Sequence, residues 1–147
     1  MTALLIDALA QKTTRVERCI ARAREEFAEA ADFLTDRTRQ DAAILNLQRA
    51  CELAIDMGNM VIAHEQWGLP QSAREVFSML ADRGVIAADM ALNLQRMVGF
   101  RNIAVHEYDT LDIQIVVRVI EHDVDAVLQF ASKVLNRYLQ PPTPPQP

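Results

Sequence analysis

MALNLQRMVGFRNIAVHEYDT, residues 90–110, decides how the rest of the chain is read. Met90, Leu94, Met97 and Val98 recur at helical spacing. Arg101, Asn102, His106, Glu107, Tyr108 and Asp109 then crowd into the end of the same apolar helix. Elsewhere polar residues fall on faces that water can solvate, whereas here a guanidinium, an amide, an imidazole and a phenol gather where a helix must stop. At about 100° per residue, Asn102 and His106 share one face, and Arg101 and Tyr108 share another. Arg101 and His106 point roughly 140° apart on an ideal helix. They reach one phosphate if the helix unwinds after Val105, if the Arg side chain wraps round, or if a second subunit supplies the other group. A planar fork of donors holds an anion, and an imidazole exchanges a proton near neutral pH, so the pair suits a metal-free phosphodiester site. The plainer alternative is an Arg101 that salt-bridges an acid and a His106 that only caps a helix.

Working outward, the same periodicity predicts an all-α chain. Asp109 and Thr110 offer an N-cap for a last helix over 111–139, with Ile113, Val116, Val117, Ile120, Val124, Val127, Leu128, Ala131, Val134, Leu135 and Tyr138 on its apolar side. His122, between Glu121 and Asp123, reads as exposed. Upstream, Ser72 and Glu75 form a capping box for a short helix over 73–82 with Val76, Phe77 and Leu80 inward, and Gly84 suits the left-handed stop after it. A helix over 39–66 buries Ile44, Leu47, Cys51, Ala54, Ile55, Gly58, Val61 and Ile62. Gly58 costs about 1 kcal/mol there relative to Ala, which predicts close approach of another helix, within the chain or in a dimer. Asp41, Asn46, Gln48 and Glu52 on this helix are polar enough to reach a site; helix surface is their default. His64 reads as surface or packing, and Trp67 as a cover for the core end. The first helix is expected over 4–34, with Val16, Cys19, Ile20, Ala23, Phe27, Ala30, Ala31 and Leu34 inward. Beside them Arg15, Arg18 and Arg22 form either a phosphate-binding patch or a solvated face paired with Glu25, Glu26 and Glu29, and the closeness of the acids favours the second.

A chain of 147 residues fits one domain, expected over 1–139, followed by a proline-rich extended tail over 140–147. Only four glycines interrupt it. The net charge of −5 argues against binding nucleic acid through a broad basic surface, so any RNA contact is local or built by pairing subunits. Cys19 and Cys51 lie in apolar helical patterns without a metal spacing, as reduced thiols do in a cytosol. No basic leader and no membrane-length apolar run is visible, so a cytoplasmic protein without membrane contact is expected.

Arg101 to Tyr108 has the form RxxxxHxY, and with DAAILNLQRACELAIDMGNMVIA (41–63), LPQSAREVFSMLADRGVI (69–86) and MALNLQRMVGFRNIAVHEYD (90–109) it resembles the HepT-type toxins of the HEPN superfamily. The resemblance covers most of the chain outside the proline tail. It implies an antiparallel bundle of about five helices, paired as a homodimer whose motifs line a cleft between subunits. It further implies a metal-independent endoribonuclease acting as the toxin of a type VII toxin–antitoxin pair, with a small MNT-type nucleotidyltransferase as antitoxin.

Carried over to this chain, Arg101 would hold the phosphate and stabilise developing charge. His106 would act as general acid or base, and Asn102 would support the His or donate to a phosphate oxygen. RNA ends with a 2′,3′-cyclic phosphate are expected, and DNA, lacking the attacking hydroxyl, should resist. Tyr108 matches the position at which the partner adds AMP. The added phosphodiester would sit beside Arg101 and block the cleft. The chain itself would need no cofactor, Mg-ATP being used by the partner, which would also bring the base for this transfer. An alternative of a different class is a non-catalytic HEPN module that binds nucleotide or RNA, or only recruits a nucleotidyltransferase.

Overall fold

The computed structural model describes residues 2–140, so the expected tail beyond Gln140 lies outside the described residues. Helices α1 (Thr2–Glu29), α2 (Arg37–Glu65), α3 (Ala73–Asp82), α4 (Ala88–His106), α5 (Ile113–Arg118) and α6 (Asp125–Leu139) follow in order. A π-turn, Val119–Asp123, joins α5 to α6 through helical backbone angles, so the two continue as one interrupted rod. The result is the all-helical bundle of five rods that the periodicity predicts. No strand occurs among the described residues, and no helix there is long and apolar enough to cross a membrane.

The middle of the bundle is α2, which touches α1, α3, α4 and α6. Its burial explains why one apolar stripe under-describes it. Ala43, Ala50, Leu53 and Met57 are buried alongside the expected Ile44, Leu47, Cys51, Ala54, Val61 and Ile62, because a helix packed on several sides is apolar round most of its circumference. Phe77 of α3 and Phe130 of α6 meet edge to face with centroids 5.3 Å apart, both buried. Trp67 caps the core end as expected, with the Arg83 guanidinium 5.4 Å from its ring centroid.

Gly58 is a close-approach site, and the approaching helix belongs to the same chain. A Cβ there would overlap Val76 Cγ1 and lie 3.3 Å from Leu80 Cδ1, both on α3. Gly58→Ala therefore sets about 1 kcal/mol of recovered helix propensity against overpacking of about 1–3 kcal/mol. A net loss of up to about 2 kcal/mol is expected. Urea unfolding of the two forms measures it.

Three boundaries depart from the sequence reading. The first helix stops at Glu29, not near residue 34. The Asp32 carboxylate accepts from the Leu34 backbone N–H and starts a 3₁₀ turn, Phe33–Thr35. This local bond competes with helix continuation, buries Phe33 edge-on to Phe27, and leaves Leu34 and Ala31 exposed. The second helix is capped by Asp36, which accepts from the Arg39 N–H, and so begins at Arg37. The last helical rod is capped by Asp112, accepting from Gln114 N–H, and not by Asp109 or Thr110. Those two residues form the 3₁₀ turn Tyr108–Thr110, closed by the Thr110 hydroxyl donating to the Glu107 carbonyl. The 73–82 helix falls where predicted. Ser72 Oγ accepts from the Glu75 N–H, and Gly84 has φ +73°.

Candidate functional site

Helix α4 carries the motif and stays helical through His106, so of the three routes that could join Arg101 to His106, unwinding after Val105 is not the one this fold takes. Five residues of unbroken helix keep Arg101 and His106 on different sides of the axis. Arg101 turns inward toward α2. Its guanidinium lies near enough to the buried Cys51 thiol to oppose the rise in that thiol's pKa, which burial pushes up to about 12. Arg101 Nε is buried and finds no hydrogen-bond partner among the described residues. It takes part in no salt bridge there either, so the structural alternative for Arg101, neutralising an acid, is not what the fold uses it for. A buried, unpaired donor costs about 1–3 kcal/mol, and a native fold that keeps one calls for a reason, a catalytic role among them.

His106 is the last residue of α4 and is exposed, with no side-chain hydrogen bond among the described residues. Asn102, one turn earlier, is exposed on the same side, so the expected Asn102–His106 face exists and is open to a partner or substrate. Next to it Ile103 and Val105, and further up the helix Leu92, leave apolar surface uncovered on α4. Within one chain, Arg101 and the Asn102–His106 face are not brought together.

Tyr108 is placed by the 3₁₀ turn that follows Glu107. The turn carries the phenol off the axis of α4 and back over the start of α2, where its hydroxyl donates a hydrogen bond to Asp41 Oδ1. Partial burial, then this hydrogen bond and the Asp41 charge, push the phenol pKa up to about 12 against the opposing charge of Arg37. Arg37, Gln40, Asp41, Ile44, Leu111 and Ile113 surround Tyr108 in a cavity of about 340 Å³. Of the polar residues on α2 singled out from sequence, Asp41 is the one that reaches the motif. Asn46 bonds back to the Ala42 carbonyl, and Gln48 donates to Glu52. Arg37 and Gln40 carried no signal in the sequence, since what gives them meaning is a contact with a residue far along the chain.

The remaining candidates resolve into structure. Arg22 pairs with Glu25 and Glu26 at 3.0 and 2.7 Å, and Glu26 also meets Arg39 of α2 at 3.0 Å, which makes this flank a solvated ion-pair network. His64 is exposed and stands edge-on to Tyr138. His122 is exposed in the π-turn. No three His, Cys, Asp or Glu side chains converge as a metal site would require among the described residues. A cleft of about 730 Å³ beside α6, lined by residues such as Ser132, Lys133 and Arg137, touches none of the motif residues.

Comparison with known proteins adds an independent line. The family of HepT-like ribonucleases matches residues 16–134. The mRNA nuclease HepT of Shewanella oneidensis is 42% identical over 124 residues, covering 84% of this chain and 93% of that protein. Among solved structures, the tri-AMPylated HEPN toxin of Shewanella oneidensis in complex with MNT antitoxin superposes with a TM-score of 0.83 at 41% identity, covering 87% of this chain and 96% of the other. A toxin–antitoxin complex solved with AMP-PNP gives a TM-score of 0.83 at 40% identity over 87% and 97% of the two chains. A cytosolic protein of unknown function from Bacillus subtilis, YutE, shares the fold with a TM-score of 0.67 at 19% identity over 86% and 89%.

Proposed function

This chain belongs to the HepT-like ribonuclease family and is an endoribonuclease toxin, and from that premise we propose that it cuts RNA at a cleft between two copies of itself, through Arg101 and His106. The observation that carries this reading is the division of labour on α4. Arg101 Nε is buried without a partner, while His106 is exposed five residues on, round the helix. With Arg101 turned toward α2 and His106 on another side of the same helix, a second copy is the natural source of the missing group. The uncovered Ile103 and Val105 next to Asn102 and His106, with Leu92 further up the same helix, support pairing along α4, as exposed apolar surface marks interfaces. A two-fold axis there would bring two arginines and two histidines to one phosphate, and would concentrate positive potential on an otherwise acidic protein.

In that cleft the ribose 2′-oxygen attacks the phosphorus and the bond to the 5′-oxygen breaks. One His106 takes the 2′-hydroxyl proton and another gives a proton to the departing oxygen. The Arg101 fork meets the charge gathering on the phosphate oxygens, and Asn102 supports the imidazole or donates to a phosphate oxygen. This chemistry calls for no metal or cofactor of the chain's own, and leaves a 2′,3′-cyclic phosphate. Tyr108 receives AMP from an MNT-type nucleotidyltransferase antitoxin that uses Mg-ATP, and the added anions then compete for the phosphate position. The pair works as a type VII toxin–antitoxin system in the cytoplasm, where Cys19 and Cys51 stay reduced.

The test is cleavage by the purified protein in the presence of a metal chelator. RNA should be cut to cyclic-phosphate ends and the corresponding DNA left whole, and prior treatment with the antitoxin and Mg-ATP should stop cleavage. Cutting that needs added metal, or that spares RNA, would defeat the mechanism. Binding without cutting would favour a non-catalytic module.

A further inference from the structure

Asp41 has no structural duty that accounts for its contact with Tyr108. The N-cap of α2 is already filled by Asp36, and Arg39 is taken by Asp36, Glu26 and Glu29. Asp41 forms no salt bridge among the described residues, and its carboxylate accepts the Tyr108 hydroxyl across 67 positions of sequence. We propose that Asp41 is the proton acceptor for nucleotidyl transfer to Tyr108, so that the chain being modified, and not only the modifying partner, supplies the base. The inference rests on Tyr108 being the AMP acceptor.

The phenol oxygen attacks the α-phosphorus of the nucleoside triphosphate carried by the partner. A new O–P bond forms and the bond to the bridging oxygen of pyrophosphate breaks, pyrophosphate leaving with the electron pair. The phenol proton passes to Asp41 and from there to water. Full transfer before attack is uphill, because a carboxyl group titrates near 4 and a phenol near 10. As the O–P bond forms the phenol oxygen becomes far more acidic, so the proton moves in step with bond formation, where a positioned base contributes about 10²- to 10⁴-fold. Attack by free phenolate is a poor substitute, since only about one phenol in 10³ is ionised at pH 7 when its pKa is 10. Among the described residues the groups facing the phenol are Asp41 and Arg37 of α2, Asp109 in its own turn, and the neutral Gln40, Ile44, Leu111 and Ile113. Arg37 is the one cation among them, and it lies across the same cavity where the incoming phosphate oxygens gather charge.

The experiment follows AMP addition to Tyr108 by mass spectrometry, with the full chain, its cognate nucleotidyltransferase and Mg-ATP. Wild type should be modified at a rate that is flat from about pH 6 to about pH 9, while Asp41→Asn should be about 10²- to 10⁴-fold slower at neutral pH and rise about tenfold per pH unit. Asp41→Glu keeps a carboxylate and should keep the flat profile. Ultraviolet titration in a Tyr138→Phe background reads Tyr108 alone, as the chain has two tyrosines. There Asp41→Asn should lower the phenol pKa from about 12, the part of the rise that burial causes remaining. RNA cleavage by unmodified Asp41→Asn should match wild type. Equal modification rates, or an unchanged titration, would overturn the proposal while leaving Tyr108 as the acceptor. A slower variant with the same flat profile would mean that Asp41 only orients the phenol, which also overturns it. Failure of the wild type to take AMP at Tyr108 would instead remove the acceptor reading, and this inference with it.

Discussion

His106→Ala is expected to lower RNA cleavage by about 10²- to 10⁴-fold while leaving the melting temperature unchanged. The imidazole is exposed and makes no side-chain hydrogen bond among the described residues, so its loss opens no cavity and strands no partner. Single-turnover cleavage of a fixed RNA, with melting curves for both forms, measures the two quantities together. In cells without the antitoxin, wild type should arrest growth and the variant at equal protein level should not. Equal arrest by both would show that His106 is not the proton-transfer group. Arg101 gives a sharper contrast. Arg101→Met should abolish cleavage as well, yet its melting temperature should hold or rise, because it removes a buried donor that has no partner. A fold-supporting arginine would behave in the opposite way, losing stability on replacement. Gains of stability at the expense of function are the usual mark of a residue kept for chemistry.

Phe130→Ala is expected to destabilise the fold by about 3–5 kcal/mol, a large share of the roughly 5–15 kcal/mol that holds a domain together. Phe130 is fully buried on α6, stacks edge-on against Phe77 of α3, and its Cζ would lie 3.8 Å from a Cβ at Gly58 of α2. Three helices therefore converge on one ring. The backbones around it come from rods already in contact, so they have little room to collapse into the space. For a chain of this size a melting point lower by on the order of 10–20 °C follows. A drop of only a few degrees would mean that the junction closes by repacking. Because α2 also carries Asp41 and backs Arg101, loosening it should weaken cleavage and AMP acceptance together, unlike His106→Ala, which touches only the first.

Much of this molecule is written in short-range pattern. The Ser72–Glu75 cap, the stop at Gly84, the absence of strand periodicity and the tight contact at Gly58 each express a local cost that one or two residues reveal. The spacing of Arg101 and His106 was equally legible, including the geometric conflict between them, because an ideal helix fixes the angle between two positions on it. Asp32 and Asp112 show where such reading slips. Each is a carboxylate that takes a backbone N–H and moves a helix boundary, and the competing choices, a longer first helix or a cap at Asp109, have the same residue types. The apolar period could not decide between Phe33 and Leu34, since only the crossing of α1 with its neighbours makes one side the core.

What the sequence by itself determined is the set of helices and the chemical identity of the groups at the end of α4. The tertiary structure alone decided which of those groups meet something. It set Arg101 near enough to Cys51 for its charge to act there, with an unpaired Nε, left His106 open, and laid Tyr108 on Asp41. The physical reason is that periodicity records neighbours three or four residues apart. A bond between Tyr108 and Asp41 instead depends on how two helices cross and on one 3₁₀ turn between rods.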